Sequence, residues 1–162
     1  MILGEEDEKF MRLALEEAAA AASEGEVPIG AVIVRGGVVV AKEHNRVEAA
    51  KVGSAHAELL CIEAASRTLG YWRLDDCTLY VTKEPCPMCA GAMVNCRVGR
   101  LVFGCSDSRT GAAGGCIDIT SLPGALHTVD VTSGVLGDEC LELIREFFRR
   151  RRKEADSTEC EL

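Results

Sequence analysis

Three metal-donor side chains, His56, Cys86 and Cys89, fall in two short stretches, His56-Ala57-Glu58 and Pro85-Cys86-Pro87-Met88-Cys89, with twenty-six residues between Glu58 and Pro85. A chain that uses them together must bring two distant segments to one point, and nothing else in the sequence constrains the fold as strongly. Cys86 and Cys89 are three apart, so a helix opened by Pro87 puts both sulfurs on the same side of its first turn. A helix N-terminus also favours negative charge, and so the thiolates that a metal binds. Ser54-Ala55 ahead of His56 reads as a second helix start, followed by the apolar positions Ala57, Leu59, Leu60, Ile62, Ala64 and Ala65. One imidazole and two thiolates leave a tetrahedral zinc ion with one open position for water, which ionises near neutral pH there. Glu58 would then stand beside the ion as a proton carrier, not as a ligand. With Cys96 or Cys105 as a fourth ligand the site would be structural, and Glu58 would have no use.

The 162 residues, 48% hydrophobic and 27% charged, suit one globular domain, expected over residues 1–153 with an acidic, disordered tail at 154–162. No apolar run approaches the eighteen residues of a membrane span, and the first residues are acidic. A cytoplasmic location is therefore expected, with no membrane partner. The nine cysteines are odd in number and, apart from Cys86 and Cys89, scattered. Most read as small buried hydrophobes of a reducing compartment, with Cys160 an exposed thiol in the tail. A net charge of −8 excludes indiscriminate nucleic-acid binding. Base is nevertheless gathered at Arg97, Arg100, Arg109 and the run Arg149 to Lys153, enough for an edge that meets one folded RNA.

Hydrophobic periodicity predicts a helix over about residues 5–24, with Phe10, Leu13, Ala14, Ala18 and Ala21 along one face. The apolar run Val27 to Val34 predicts a strand turned at Gly36-Gly37 into a second over Val38 to Ala41, with His44 and Asn45 at its end beside the metal. Strands follow over Thr78 to Val81, Arg100 to Gly104 and Val129 to Thr132. A helix spans Cys86 to Asn95, and another Asp138 to Lys153, acidic in its first turn and basic in its last. Residues 105–127 read mainly as loop with a short helix. This order describes a three-layer α/β/α sandwich around a central mixed five-stranded sheet, with both donor motifs at helix starts where ligand sites collect.

The pattern H-x-E…P-C-x-x-C is that of the zinc deaminases. Over roughly residues 8–153 the chain resembles the bacterial tRNA-specific adenosine deaminases of the cytidine-deaminase-like superfamily. The resemblance runs through Glu26-Val27-Pro28-Ile29-Gly30-Ala31-Val32, Asn45, Ala55-His56-Ala57-Glu58, Leu79-Tyr80-Val81-Thr82 and Glu84-Pro85-Cys86. It continues in Met88-Cys89-Ala90-Gly91-Ala92, Arg100 to Gly104, Asp107, Thr110 to Gly114, Asp118, Gly134-Val135-Leu136 and Phe147-Phe148-Arg149. The metal motif fits the whole superfamily; the Met-Cys-Ala-Gly-Ala run, the loop from Asp107 and the Phe-Phe-Arg helix point to the tRNA branch. Lys83, Gly53-Ser54 and Leu126 depart from the usual pattern, Lys83 standing where an apolar residue, commonly Leu, precedes Glu-Pro-Cys.

The resemblance implies conversion of the wobble adenosine of an arginine tRNA to inosine with release of ammonia, one zinc per chain on His56, Cys86 and Cys89, and a homodimer. It makes Glu58 the shuttle that passes a proton from water to the ring nitrogen beside the carbon under attack. It places Asn45 against the flipped nucleoside with Val27, Pro28 and Ile29 at its face. Ala57, Pro85 and Asp107 complete the substrate site, and Phe147, Phe148, Arg149 and Arg152 meet the anticodon loop. Two other readings share the motif: a guanine, cytosine or nucleoside deaminase, which needs no basic edge, and a non-catalytic RNA-binding subunit that keeps zinc for structure.

Overall fold

The computed structural model describes residues 3–159. Helix α1 (Leu3–Ser23) leads into the hairpin β1 (Gly30–Arg35) and β2 (Val38–His44), a short helix α2 (Val47–Ala50) and α3 (Ala57–Leu69). There follow β3 (Cys77–Lys83), α4 (Pro87–Asn95), β4 (Arg100–Cys105), β5 (Asp130–Ser133) and α5 (Gly137–Glu159). The five strands form one sheet in the order β2-β1-β3-β4-β5. β1 is antiparallel to both of its neighbours, while β3, β4 and β5 run parallel, so the sheet is mixed as expected.

Side chains alternate between two cores, because successive strand residues point to opposite faces. Ala31, Ile33, Leu79, Val81, Leu101 and Phe103 face α3 and α4, packing against Ala57, Cys61, Ala65, Cys89 and Met93. Val32, Val34, Tyr80 and Val102 face α1 and α5, against Phe10, Met11, Ala14 and Cys140. Coverage on both faces is why these strands read as nearly continuous apolar runs. The hairpin turns on Gly36 and Gly37, at φ 55° and 76°, the two positive values a tight hairpin turn of right-handed twist requires. At the far edge, buried Asp7 of α1 accepts from the Tyr80 hydroxyl (3.0 Å) and from both terminal nitrogens of Arg100 (2.8 and 2.7 Å).

Several expectations are corrected. β1 begins at Gly30, because Pro28 has no N–H for a ladder and Ile29 turns its own back to the Val27 carbonyl (2.9 Å). The polar segment after β2 contains α2, whose Glu48 and Ala49 N–H groups are taken by the buried Glu26 carboxylate (3.1 and 2.7 Å). Residues 106–129 hold no helix, only turns and one isolated bridge between Ala113 and Asp118. α5 continues to Glu159 instead of giving way to a tail at 154, with the Ser157 and Thr158 hydroxyls donating to the carbonyls one turn back (2.8 and 2.9 Å). The basic run therefore lies inside α5 and gains nothing from the helix dipole at its end. Residues 160–162, with Cys160, lie outside the described residues. No described helix is long and apolar enough to cross a membrane.

The strand directions gather one end of the sheet. The start of β1 lies beside the ends of β2 and β3, with the end of β4 next in line. Both donor motifs open at this edge.

Candidate active site

Each donor sits at a helix start. His56 is the N-cap of α3, in extended conformation (φ −77°, ψ 147°), and Cys86 is the N-cap of α4 (φ −72°, ψ 171°), with Pro87 opening the helix and Cys89 in its first turn. The His56 Nδ1 lies 3.6 Å from the Cys86 Sγ and 3.5 Å from the Cys89 Sγ. Ligand distances of about 2.3 Å to sulfur and 2.0–2.1 Å to nitrogen at a tetrahedral angle set the two donors about 3.6 Å apart. The trio thus fits a tetrahedral metal ion. Among the described residues no other group of three or more His, Cys, Asp or Glu donors is gathered this way, so Cys96 and Cys105 do not join.

The donors are electrostatically coupled. The Cys89 thiol, donating to the Cys86 sulfur, pulls the Cys86 pKa down to about 3, with His56 and the Cys89 N–H adding to the effect. Cys89, giving that bond from a buried position, is pushed up. His56 is raised, first by its bond to Cys86. A bound cation replaces this proton sharing by holding both sulfurs as thiolates.

Glu58, in the first turn of α3, is 3% exposed, and its Oε2 has no hydrogen-bond partner among the described residues. Burial raises its pKa, bringing it nearer the working range of an acid–base group. Asn45 follows β2, where its Nδ2 donates to the Val27 carbonyl (3.4 Å) and its buried Oδ1 has no partner among the described residues. Buried polar atoms are nearly always satisfied, so these two mark where a ligand belongs.

A cavity of about 470 Å³ opens onto His56, within the usual range for small-molecule sites. Val27, Ile29, Asn45 and Ala57 line it with His56, as do Val47 and Glu48 of α2 and Phe147, Phe148 and Arg151 of α5. The two rings meet edge to face, centroids 5.3 Å apart, and the Arg151 guanidinium lies over Phe147 (5.1 Å) and donates to the Gly25 carbonyl (2.5 Å).

Other expected site residues lie outside this cavity. Pro28 and Pro85 are buried, and the Pro85 carbonyl accepts from the Ala112 N–H (2.9 Å). Asp107 is bonded to Lys83 and its own loop. Arg149 pairs with Glu142 and Glu146 on its own helix, Arg150 with Glu146, and Arg152 lines a separate groove beside Phe148. His44, expected beside the metal, is held against α1 between Glu17 and Glu24, at 2.9 Å on each ring nitrogen. Burial lowers its pKa, but the two carboxylates outweigh this and leave it raised.

Sequence reasoning missed Glu26, α2 and Arg151. A signal existed for Arg151: it stands four residues after Phe147, one helical turn away. For Glu26 the signal was a lone carboxylate against an apolar strand.

The MafB19-like deaminase family model matches residues 5–152. A tRNA-specific adenosine deaminase of Bacillus subtilis (strain 168) is 47% identical over 148 residues, covering 91% of this chain and 92% of its own. A solved structure from a study of A-to-I editing by tRNA:A34 deaminases at the wobble position of transfer RNA is 42% identical, with a TM-score of 0.78 over 83% of this chain and 98% of that one. A guanine deaminase from Nitrosomonas europaea is 28% identical, with a TM-score of 0.73 over 86% of this chain and 83% of that one.

Proposed function

This chain belongs to the tRNA-specific adenosine deaminases of the MafB19-like deaminase family, and from that premise we propose that it converts the wobble adenosine of an arginine tRNA to inosine by zinc-dependent hydrolysis, releasing ammonia. His56, Cys86 and Cys89 would hold the zinc. A bound zinc ion lowers the pKa of a coordinated water toward neutrality.

The observation that carries this reading is Glu58, a buried carboxylate with one oxygen unpartnered beside a metal-donor trio that does not need it as a ligand. Its raised pKa suits it to hold a proton taken from the attacking water and pass it to N1 of the adenine, next to C6. As the hydroxide adds to C6, Glu58 is free to take the remaining hydroxyl proton and give it to the amino group, so that the C6–N bond breaks, ammonia leaves and the carbonyl of inosine forms. Asn45, oriented by its bond to the Val27 carbonyl, presents Oδ1 to a donor on the flipped nucleoside. Val27 and Ile29 pack on the base. Phe147 and Phe148 with Arg151 form a wall suited to splayed anticodon bases, which stack on aromatic rings. A free-base deaminase accounts for Glu58 and the donors but leaves that wall without a partner.

The same reading makes the active form a homodimer in the cytoplasm.

The test is Glu58→Ala, followed by single-turnover deamination of an arginine tRNA bearing a wobble adenosine. The variant keeps its fold, metal and tRNA affinity and loses about 10²–10⁴-fold in rate. A rate above about a tenth of wild type would remove Glu58 from the mechanism.

A further inference from the structure

His44 closes β2 and faces α1, while Asn45, the next residue, lines the cavity. The His44 ring lies between two carboxylates at the end of α1. Its Nδ1 is 2.9 Å from the Glu17 Oε2, and its Nε2 is 2.9 Å from the Oε2 of Glu24, the first residue past the helix. Opposite His44 in β1 stands Gly30, where a Cβ would come within 2.0 Å of the Ala14 carbonyl oxygen, so α1 is seated directly on this end of the sheet. Glu24 leads into the turn Gly25-Glu26-Val27, whose residues line the cavity. In that turn the Gly25 carbonyl accepts from Arg151 and the Val27 carbonyl from the Asn45 Nδ2. The imidazole therefore joins the two backbone segments that carry the cavity wall around Asn45.

A carboxylate only accepts hydrogen bonds, and a neutral imidazole donates from one of its nitrogens only. Both bonds exist together when His44 carries two protons. With one proton, a ring lone pair faces a carboxylate oxygen and one partner is released. The Glu17 side chain is 21% exposed and that of Glu24 50%, so Glu24, the one water can take over, is the partner that lets go. The other charge acting on the ring among the described residues is Arg46, itself paired with Glu43, which points to the opposite face of β2; β1 presents only Gly30. Burial and Arg46 disfavour the imidazolium, and the two carboxylates outweigh them and leave the pKa raised. The second proton is therefore held below the ordinary histidine value and lost as pH rises through the folded one.

We propose that His44 is a positioning residue of the nucleoside site: as an imidazolium it clamps the end of β2 to the end of α1 and so fixes Asn45 against the turn at 25–27, and on losing one proton it releases Glu24 and loosens both. Use of the substrate is then coupled to pH through a group that touches neither the substrate nor the metal donors, a role that rests on the tRNA deaminase reading.

Wild type, His44→Gln and Glu24→Gln are assayed for deamination of the arginine tRNA from about pH 6 to about pH 9, with Tm measured alongside. The amide in His44→Gln donates to one carboxylate only and stands in for the neutral ring at every pH. The amide in Glu24→Gln accepts from an imidazolium and donates to a neutral ring, so the clamp stays closed across the range. Titration of the catalytic groups is common to all three proteins, and ratios of kcat/KM isolate the clamp. Wild type should exceed His44→Gln by about fivefold or more at the acid end, the lower end of a coupling between sites, and match it at the alkaline end. The ratio of wild type to Glu24→Gln should fall by about the same factor across the range, since the charge removed at Glu24 shifts that ratio equally at every pH. Ratios that do not change with pH would overturn the proposal. So would a lowered Tm in His44→Gln at unchanged kcat/KM, the signature of packing alone. Wild type inactive on the tRNA would remove the deaminase reading and this proposal with it, whereas an active wild type with flat ratios removes this proposal only.

Discussion

Replacing Glu84 with Gln tests how the loop over residues 106–118 is fixed beside the metal donors. The Glu84 side chain is buried, and its carboxylate takes three backbone N–H groups: Asp107 on Oε2 (2.7 Å), and Ala113 (3.1 Å) and Gly115 (2.7 Å) on Oε1. Gln has the same size but turns one oxygen into a donor. If its oxygen keeps Ala113 and Gly115, its NH₂ faces the Asp107 N–H, donor against donor. The loss is one hydrogen bond to a charged group, about 1.5–3 kcal/mol, plus weakening of the other two once the acceptor is neutral. The chain has no room to shift in compensation. A Cβ on Gly111 would stand 2.3 Å from the Glu84 Cδ, and one on Gly115 2.3 Å from its Oε2, which is why this loop needs glycine at both positions. The total is roughly 3 kcal/mol. At about 2–4 °C per kcal/mol for a domain of this size, Tm should fall by roughly 6–12 °C, measured by calorimetry on metal-loaded protein. Gly111→Ala should cost a comparable amount. A Tm for Glu84→Gln within about 2 °C of wild type would refute the reasoning.

Metal analysis of Cys86→Ala should show zinc occupancy largely lost; zinc retained there but lost in Cys96→Ala or Cys105→Ala would mean a different ligand set. Arg151→Gln should weaken tRNA binding and flatten its salt dependence by about 0.7, while Arg149→Gln, already paired with Glu142 and Glu146, should change both less; titration at several salt concentrations separates them. The folded-state pKa of His44 is raised, so its bonds to Glu17 and Glu24 contribute fully below the ordinary histidine value and fade as pH rises through the folded one. His44→Gln should therefore lower Tm more at about pH 6 than at about pH 9, and an equal loss at both would show the ring acting by packing alone.

The metal donors were legible in the sequence because their chemistry is encoded in spacing: two cysteines three positions apart at a helix start, and a carboxylate two beyond the histidine. The sheet was legible because runs such as Ala31 to Val34 and Leu79 to Val81 alternate between two buried faces. What was hidden depends on tertiary partners. Asn45 and His44 are adjacent, yet one faces the cavity and the other α1, and only Glu17 and Glu24 show which. α2 forms at a polar stretch because Glu26, twenty-two residues earlier, accepts two of its N–H groups. The arginine run looked like a uniform basic edge, but Glu146, one turn back, pairs with both Arg149 and Arg150, while Arg151 turns to Phe147 and Gly25.

The central claim is that the substrate is adenosine held in a tRNA anticodon, and nucleoside analysis by mass spectrometry tests it most directly. The purified, zinc-loaded protein is incubated with an arginine tRNA carrying a wobble adenosine and, separately, with free adenosine, guanine and cytosine. The account predicts inosine at the wobble position of the tRNA and no turnover of the three small molecules. Deamination of guanine or cytosine with the tRNA left unchanged would contradict it.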